Sequence, residues 1–403
     1  MQRWQRIKYW SFEMHPGLVH GPIYLDYNGT TPVDPRVAAV ISEHIRLDFG
    51  NPSSSHVYGQ RAHLALELAR SQIAKLLGAA AAEIVFTGSG SEADALAIRG
   101  SFLAARAEAR PHLHMITQVT EHPAVLAACR ELEELHGVAV TYLPVDEFGR
   151  VDPNQVEGAI NSKTFLISIM QANNEIGTIQ PIFEIAQIAR SHQVLLHSDA
   201  AQSIGKIRVD VNELGVDMLT LVGHKMYAPK GIAALYVRSG VSLRPIIGGG
   251  GQEGGLRAGT ENVAFASGLG IAADLVSESL LEQEPERLAS LRARFLVGLE
   301  KRLSGRIHLH GHPVEHLSNT LNIRIDGVSA LSLLSELTAL SASAGSACHA
   351  GRDEPSIVLL ALGLKSEEAL SAIRFSLGRW STEQEIDQAV TQIANAVRKV
   401  SQL

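Results

Sequence analysis

Seven short apolar runs constrain this chain more than any other feature. They are EIVFTG from residue 83, LHMITQV from 113, VAVTYL from 138, TFLISIMQ from 164, VLLHSDA from 194, DMLTLVG from 217 and GIAALYVR from 231. Each is continuously apolar and not alternating, which fits a strand buried on both faces. The stretches between them, such as PIFEIAQIARSHQ from residue 181, carry helical spacing. The pattern predicts an α/β fold: a large domain with a mostly parallel seven-stranded sheet flanked by helices.

Beyond the glycine cluster GGGGQEGGLRAGTEN the texture changes, and two long helical patterns bracket a few strands. One places Leu288, Leu291, Phe295 and Leu299 on a single face and is closed by Gly305; the other starts on a Thr382-x-x-Glu385 capping box and runs through Ile386, Val390, Ile393 and Val397. A smaller α+β domain is expected there. The division is then an N-terminal arm over 1–22, a large domain over 23–262 and a small C-terminal domain over 263–403.

The formal charge of −7 is spread along the chain and leaves no cationic stripe for a nucleic-acid backbone. No run approaches the roughly 18 apolar residues a membrane helix needs, so neither nucleic acid nor membrane is an expected partner. The first 22 residues are basic and aromatic without a continuous apolar stretch, which argues against a secretory signal, and Met14 is an alternative start. Cys129 and Cys348 are too few for a disulfide framework, and a reducing, cytoplasmic setting is expected.

Three short stretches carry chemistry. GHKMYAPKG, from Gly223, sets Lys225 just past the end of a buried strand. HSDAAQ, from His197, sets Asp199 at another strand end, where open α/β sheets bind ligands. A carboxylate there can pair with the protonated pyridine nitrogen of pyridoxal 5'-phosphate. TGSGSEADALAI, from Thr87, reads as strand, small-residue turn and helix start, a geometry that receives a phosphate on backbone N–H groups. Aldehyde-accepting lysine, ring-facing carboxylate and phosphate turn form one coherent cofactor site, and a desolvated lysine is nucleophilic enough to bond the aldehyde.

Those stretches, with YLDYNGTTP, FGNPSSSH, TEHPAV, ANNEIGTIQPI, GGGQEGGLRAGTEN, SAGSACHAG and IRFSLGR, resemble the cysteine desulfurase family of pyridoxal phosphate enzymes, in order from about residue 23 to 385. The resemblance implies that Lys225 carries the cofactor, that Asp199 partners its ring nitrogen and that His122 stacks on the ring. It implies that Gln202 and Asn174 contact the phenolic oxygen, with Asn174 also on the substrate carboxylate. Ser91 matches a phosphate-binding threonine, Gly90 and His224 belong to the same cup, and Thr260 matches a threonine that reaches the neighbouring subunit's phosphate, which implies a homodimer. Arg374 would hold the carboxylate of L-cysteine. Cys348, among small residues, would take the substrate sulfur as a persulfide, release L-alanine and pass the sulfur to an acceptor protein in iron-sulfur cluster assembly or tRNA thiolation. One position departs from the family: Val222 stands where a phosphate-binding serine is common, and Thr220 or backbone donors are the expected substitutes.

Other readings stand beside this one. The ACH tripeptide and Val222 also resemble selenocysteine lyase, a relative with the same cofactor. A pyridoxal aminotransferase would need no cysteine on such a segment, and a non-catalytic sulfur-relay scaffold would not keep Lys225, Asp199 and Cys348 together. His308, His310 and His312 alternate along one strand but lack a thiolate or carboxylate companion, so no metal is expected. Cys129, on a helical pattern, is expected in the core.

Overall fold

The computed structural model describes residues 14–108, 112–277, 281–344, 347–349 and 352–401. The seven apolar runs become the seven strands of one sheet: β1 (Ile84–Thr87), β2 (His114–Gln118), β3 (Ala139–Leu143), β4 (Thr164–Ser168), β5 (Leu195–Asp199), β6 (Met218–Val222) and β7 (Ala233–Val237). Their order across the sheet is β1-β7-β6-β5-β4-β2-β3. All neighbours are parallel except β7, which runs antiparallel to both β6 and β1. β1, β2, β4, β6 and β7 are buried at every position and β5 at all but its first, as continuous apolar sequence requires, while the edge strand β3 is only half-buried. The exception is Leu195, half-buried at the start of β5.

Helices cover both faces: α1 (Pro35–Leu47), α2 (Val57–Leu77), α3 (Gly90–Ala107), α4 (Pro123–His136) and α5 (Ile182–Ser191). One core joins Leu66, Ile73, Ile116, Ile167, Leu196 and Leu219; the opposite core joins Leu96, Phe102, Met115, Val125, Leu166 and Leu235. Helix α6 (Val263–Leu275) lies on the small-domain side of the boundary expected at 262, yet it packs into the large core through Ala266, Leu269, Ala272 and Ala273. Small residues make that docking close: a Cβ on Gly268 would sit 2.6 Å from Ile41 of α1, and one on Gly270 2.7 Å from Ala69 of α2. The glycine cluster therefore precedes the last helix of the large domain and does not divide the two bodies.

The small domain is a four-stranded antiparallel sheet of β8 (Ile307–His310), β9 (Thr320–Ile325), β10 (Ser343–Ala344) and β11 (Ala372–Ser376), in the order β10-β11-β9-β8. Two long helices, α7 (Leu281–Arg302) and α8 (Glu383–Val400), share a core with it. The residues read from periodicity, Leu288, Leu291, Phe295 and Leu299 with Ile386, Val390, Ile393 and Val397, are all in that core. The Thr382 hydroxyl accepts from the Glu385 N–H at 3.2 Å and the Glu385 carboxylate accepts from the Thr382 N–H at 2.9 Å, so the capping box is formed. Residues 23–25 also belong here: Ile23–Tyr24 pairs in parallel with Leu340–Ser341, and Leu25 is in the small core.

Candidate functional site

A cavity of about 290 Å³ opens beyond the carboxyl ends of β1, β2, β4, β5 and β6. Parallel strands place their C-terminal residues on one side of the sheet, and the loops leaving them converge there. Of the sequence-predicted residues, Gly90, Ser91, His122, Asn174, Asp199, Gln202, His224, Lys225 and Arg374 all line it, and so does Val222.

Lys225 sits on a short 3-10 turn, Gly223–Lys225, directly after β6. Its ammonium donates to the carbonyl oxygens of Asn28 at 2.6 Å and Gly29 at 2.7 Å. Burial and the Arg374 guanidinium push its pKa down to about 8, against the pull of Asp26 and Asp199. Asp199 ends β5, is 6% exposed and accepts from the Ala201 N–H at 2.9 Å. Burial raises its pKa, and the nearby His122 and Lys225 counter that rise, so this carboxyl gains from a cation brought beside it.

His122 is the N-cap of α4, and its Nδ1 accepts from the Ala124 N–H at 3.2 Å. That bond leaves the ring proton on Nε2. Burial, aided by Lys225, lowers its pKa and favours the neutral ring. His224 is likewise held neutral: burial and Lys225 bring its pKa to about 4, and its Nδ1 is 3.1 Å from the Thr30 hydroxyl. Arg374, in β11, reaches the cavity from the small domain, donating to Asp26 at 2.7 Å and to the Asn174 carbonyl at 3.0 Å.

Helix α3 begins at Gly90, capped by the Ser89 hydroxyl, which accepts from the Glu92 N–H at 3.2 Å. The first N–H groups of this 18-residue helix point toward the cavity end of the sheet and suit an anion. Gly90 is required there: a Cβ would stand 2.6 Å from Val222 Cγ2. Thr220 does not take the role expected of it. It is fully buried within β6, its hydroxyl lies 3.0 Å from His197 Nε2, and it also bonds Asp94, so it stands behind the cavity wall and not in it. Thr220 and Val222 share a face of β6, and position along the strand separates them: Val222, at the strand end, borders the opening, while Thr220 lies two residues behind it. Thr260 is exposed and lies outside the cavity lining.

Cys348 lies in a two-stranded antiparallel hairpin, Ala347–His349 with Arg352–Glu354, where it pairs with Asp353. A strand stands where the small residues predicted a pliant loop, and the Cys348 side chain falls outside the described residues. Cys129 is fully buried on α4, and burial pushes its thiol up to about 12, consistent with packing. His308 and His310 lie on β8, His312 falls beyond its end, and the three have separate partners: His308 on Asp326, His310 on Asn322, and His312 accepting from the N–H groups of Val314 and Glu315.

The sequence reading missed four residues of the site. Asn28 and Gly29 receive Lys225, and Asp26 receives Arg374; all three lie in the YLDYNGTTP stretch without a side-chain pattern that singles them out. Asp94 lines the cavity at 2% exposure with its Oδ1 unpartnered. A lone carboxylate among the apolar residues of ADALAI was its available signal.

The model of the aminotransferase class-V family matches residues 23–389. The chain is 44% identical over 385 residues to "Cysteine desulfurase IscS" of Rickettsia africae, covering 95% of this chain and 92% of that one. A solved "NifS-like protein" superposes with a TM-score of 0.87 at 34% identity, over 94% of this chain and all of the other. A structure described as SspA in complex with cysteine superposes with a TM-score of 0.78 at 37% identity, over 89% and 100%.

Proposed function

Starting from the fact that the chain belongs to the aminotransferase class-V family, among its cysteine desulfurases, we propose that it holds pyridoxal 5'-phosphate in the cavity around Lys225 and converts L-cysteine to L-alanine, with Cys348 as the sulfur acceptor. The observation that carries this is the meeting of Lys225, Asp199, His122 and Arg374, remote in sequence, around one cavity.

The residues present fit the cofactor. A lysine with a pKa brought down to about 8 suits bonding to the aldehyde, and a buried carboxyl at Asp199 suits a pyridinium partner. The α3 N-terminus with Gly90 and Ser91 suits the phosphate, the neutral His122 suits the ring face, and Gln202 and Asn174 suit the phenolic oxygen. When bound, the cofactor supplies an electron sink for the carbon that loses its proton. Arg374 orients the substrate by its carboxylate, for which its planar fork is matched, exchanging its bond to Asp26. Lys225 takes the proton from the α-carbon and holds it at Nζ. The Cys348 thiolate bonds the substrate sulfur as the carbon–sulfur bond breaks; the electron pair stays with the β-carbon, which takes the proton given up by the Cys348 thiol to become the methyl group, and Lys225 Nζ returns its proton to the α-carbon to complete L-alanine. A persulfide is left on Cys348 for an acceptor protein.

A homodimer with Thr260 reaching its partner's phosphate site is part of the proposal. Exposed Ile45, Phe49, Val57, Tyr58, Leu64 and Leu68 on and between α1 and α2 support it, since monomer surfaces rarely present so many large apolar groups together.

The test is to load the purified chain with pyridoxal phosphate, record its visible spectrum and add cysteine. A cofactor band absent in Lys225→Ala, with alanine and sulfide production lost in Cys348→Ser, is the expected result. A wild-type chain that stays colourless refutes the cofactor site.

A further inference from the structure

Lys206 is 7% exposed, and among the described residues no carboxylate pairs with it. Burial, together with the Lys225 and Arg374 cations, pushes its pKa well below the ordinary lysine range. An uncompensated buried amine is costly to hold unless its hydrogen bonds do something specific. Its two partners are the Gln202 side-chain oxygen Oε1 and the Asn28 side-chain oxygen Oδ1, the latter at 3.0 Å.

A glutamine amide can turn over, exchanging its oxygen for its nitrogen, and neither orientation is preferred intrinsically. Lys206 Nζ donates to Gln202 Oε1 while the Asn28 carbonyl, which can only accept, faces Nε2, so the two contacts together fix the amide with its oxygen toward Lys206. The amide nitrogen Nε2 is thereby directed away from Lys206, where it donates one N–H to the Asn28 carbonyl at 3.0 Å. That carbonyl also receives Lys225. The second N–H of Gln202 has no acceptor among the described residues, and Gln202 lines the cavity.

We propose that Lys206 is a positioning residue: it locks the Gln202 amide with oxygen inward, so that the free N–H is presented to an anionic oxygen of the ligand in the Lys225 cavity. This rests on the cofactor reading above, in which that oxygen is the phenolate of a pyridine aldehyde. Lys206 is not in the cavity lining and acts on the ligand through Gln202; its second bond goes to the Asn28 side-chain oxygen, which Asn319 also supplies with a donor.

The experiment is a double-mutant cycle on full-length chain, with Lys206→Met, Gln202→Ala and the pair, read by titration with pyridoxal phosphate and by the pH midpoint of the visible band. Lys206→Met is expected to weaken cofactor binding about tenfold. It is also expected to move the band's midpoint upward, because an oxygen that loses its donor becomes more basic. In the Gln202→Ala background the same substitution should change both quantities less than about twofold. Lys206→Gln, which keeps a donor without the charge and guards against misfolding of the methionine variant, should restore most of the binding. Equal effects of Lys206→Met in both backgrounds, or none in either, overturn the proposal while leaving the cofactor site intact. Wild-type protein without a band overturns the site itself and this role with it.

Discussion

At the scale of single residues, the lysine that follows β6 is the group whose chemistry the surroundings change most usefully. Its folded-state pKa, about 8, lies below that of an unfolded lysine, so the folded chain releases this proton first as pH rises. The contribution to stability is therefore unfavourable below about pH 8 and is relieved between there and the ordinary lysine range. Cofactor capture by the apo chain needs the free amine, and its rate should climb with pH and level off above about 8. Stopped-flow absorbance across pH checks this, and a rate flat through neutral pH would contradict it. Arg374 is the largest charge depressing that pKa, so Arg374→Gln should shift the midpoint upward. Lys225 and Asp199 were legible in the sequence because a strand end is a fixed address in an α/β sheet. Asp26 and Asn28 were not, because a residue that serves by accepting from a distant side chain leaves no periodic trace.

Among elements, the α3 start shows how a substitution in one strand sets a constraint in another. Val222 fills the space where a Cβ on Gly90 would go. Gly90→Ala should thus weaken cofactor retention and cost about 1–3 kcal/mol from overpacking, and Val222→Ala in the same chain should recover much of the loss. Val222→Ser adds a hydroxyl at the cavity wall, and dialysis should show slower cofactor loss from it than from wild type. In the small domain the cap on α8 is independent of the site: Thr382→Ala should lower stability by about 1 kcal/mol in urea unfolding without altering the spectrum. Continuous apolar runs and the capping box made these elements readable before the fold was known. Thr220 lies outside the cavity lining with its hydroxyl beside His197, a placement that hydroxyl chemistry in the sequence does not reveal.

Across the whole molecule, the site exists only because two domains close on it, and the joints are polar. Asn28 donates to Thr320 and receives Asn319 from the small domain while receiving Lys206 and Lys225 from the large one. Arg379 of the small domain pairs with Asp34, the cap of α1, at 2.5 Å, with both side chains buried. Arg379→Leu leaves that carboxylate facing Arg36 alone and should destabilise the chain by about 3–5 kcal/mol. A domain boundary cannot be read from glycine content when α6 returns across it, and the first β-pairing of residues 23–24 with 340–341 is equally invisible to local pattern. Sulfur transfer to Cys348 is what all this architecture is proposed to serve, and peptide mass spectrometry after incubation with cysteine and cofactor tests it most directly. A mass gain of one sulfur atom is expected on the peptide containing Cys348 and none on that containing Cys129; alanine release with Cys348 unmodified, or sulfur carried on Cys129, overturns persulfide transfer to Cys348.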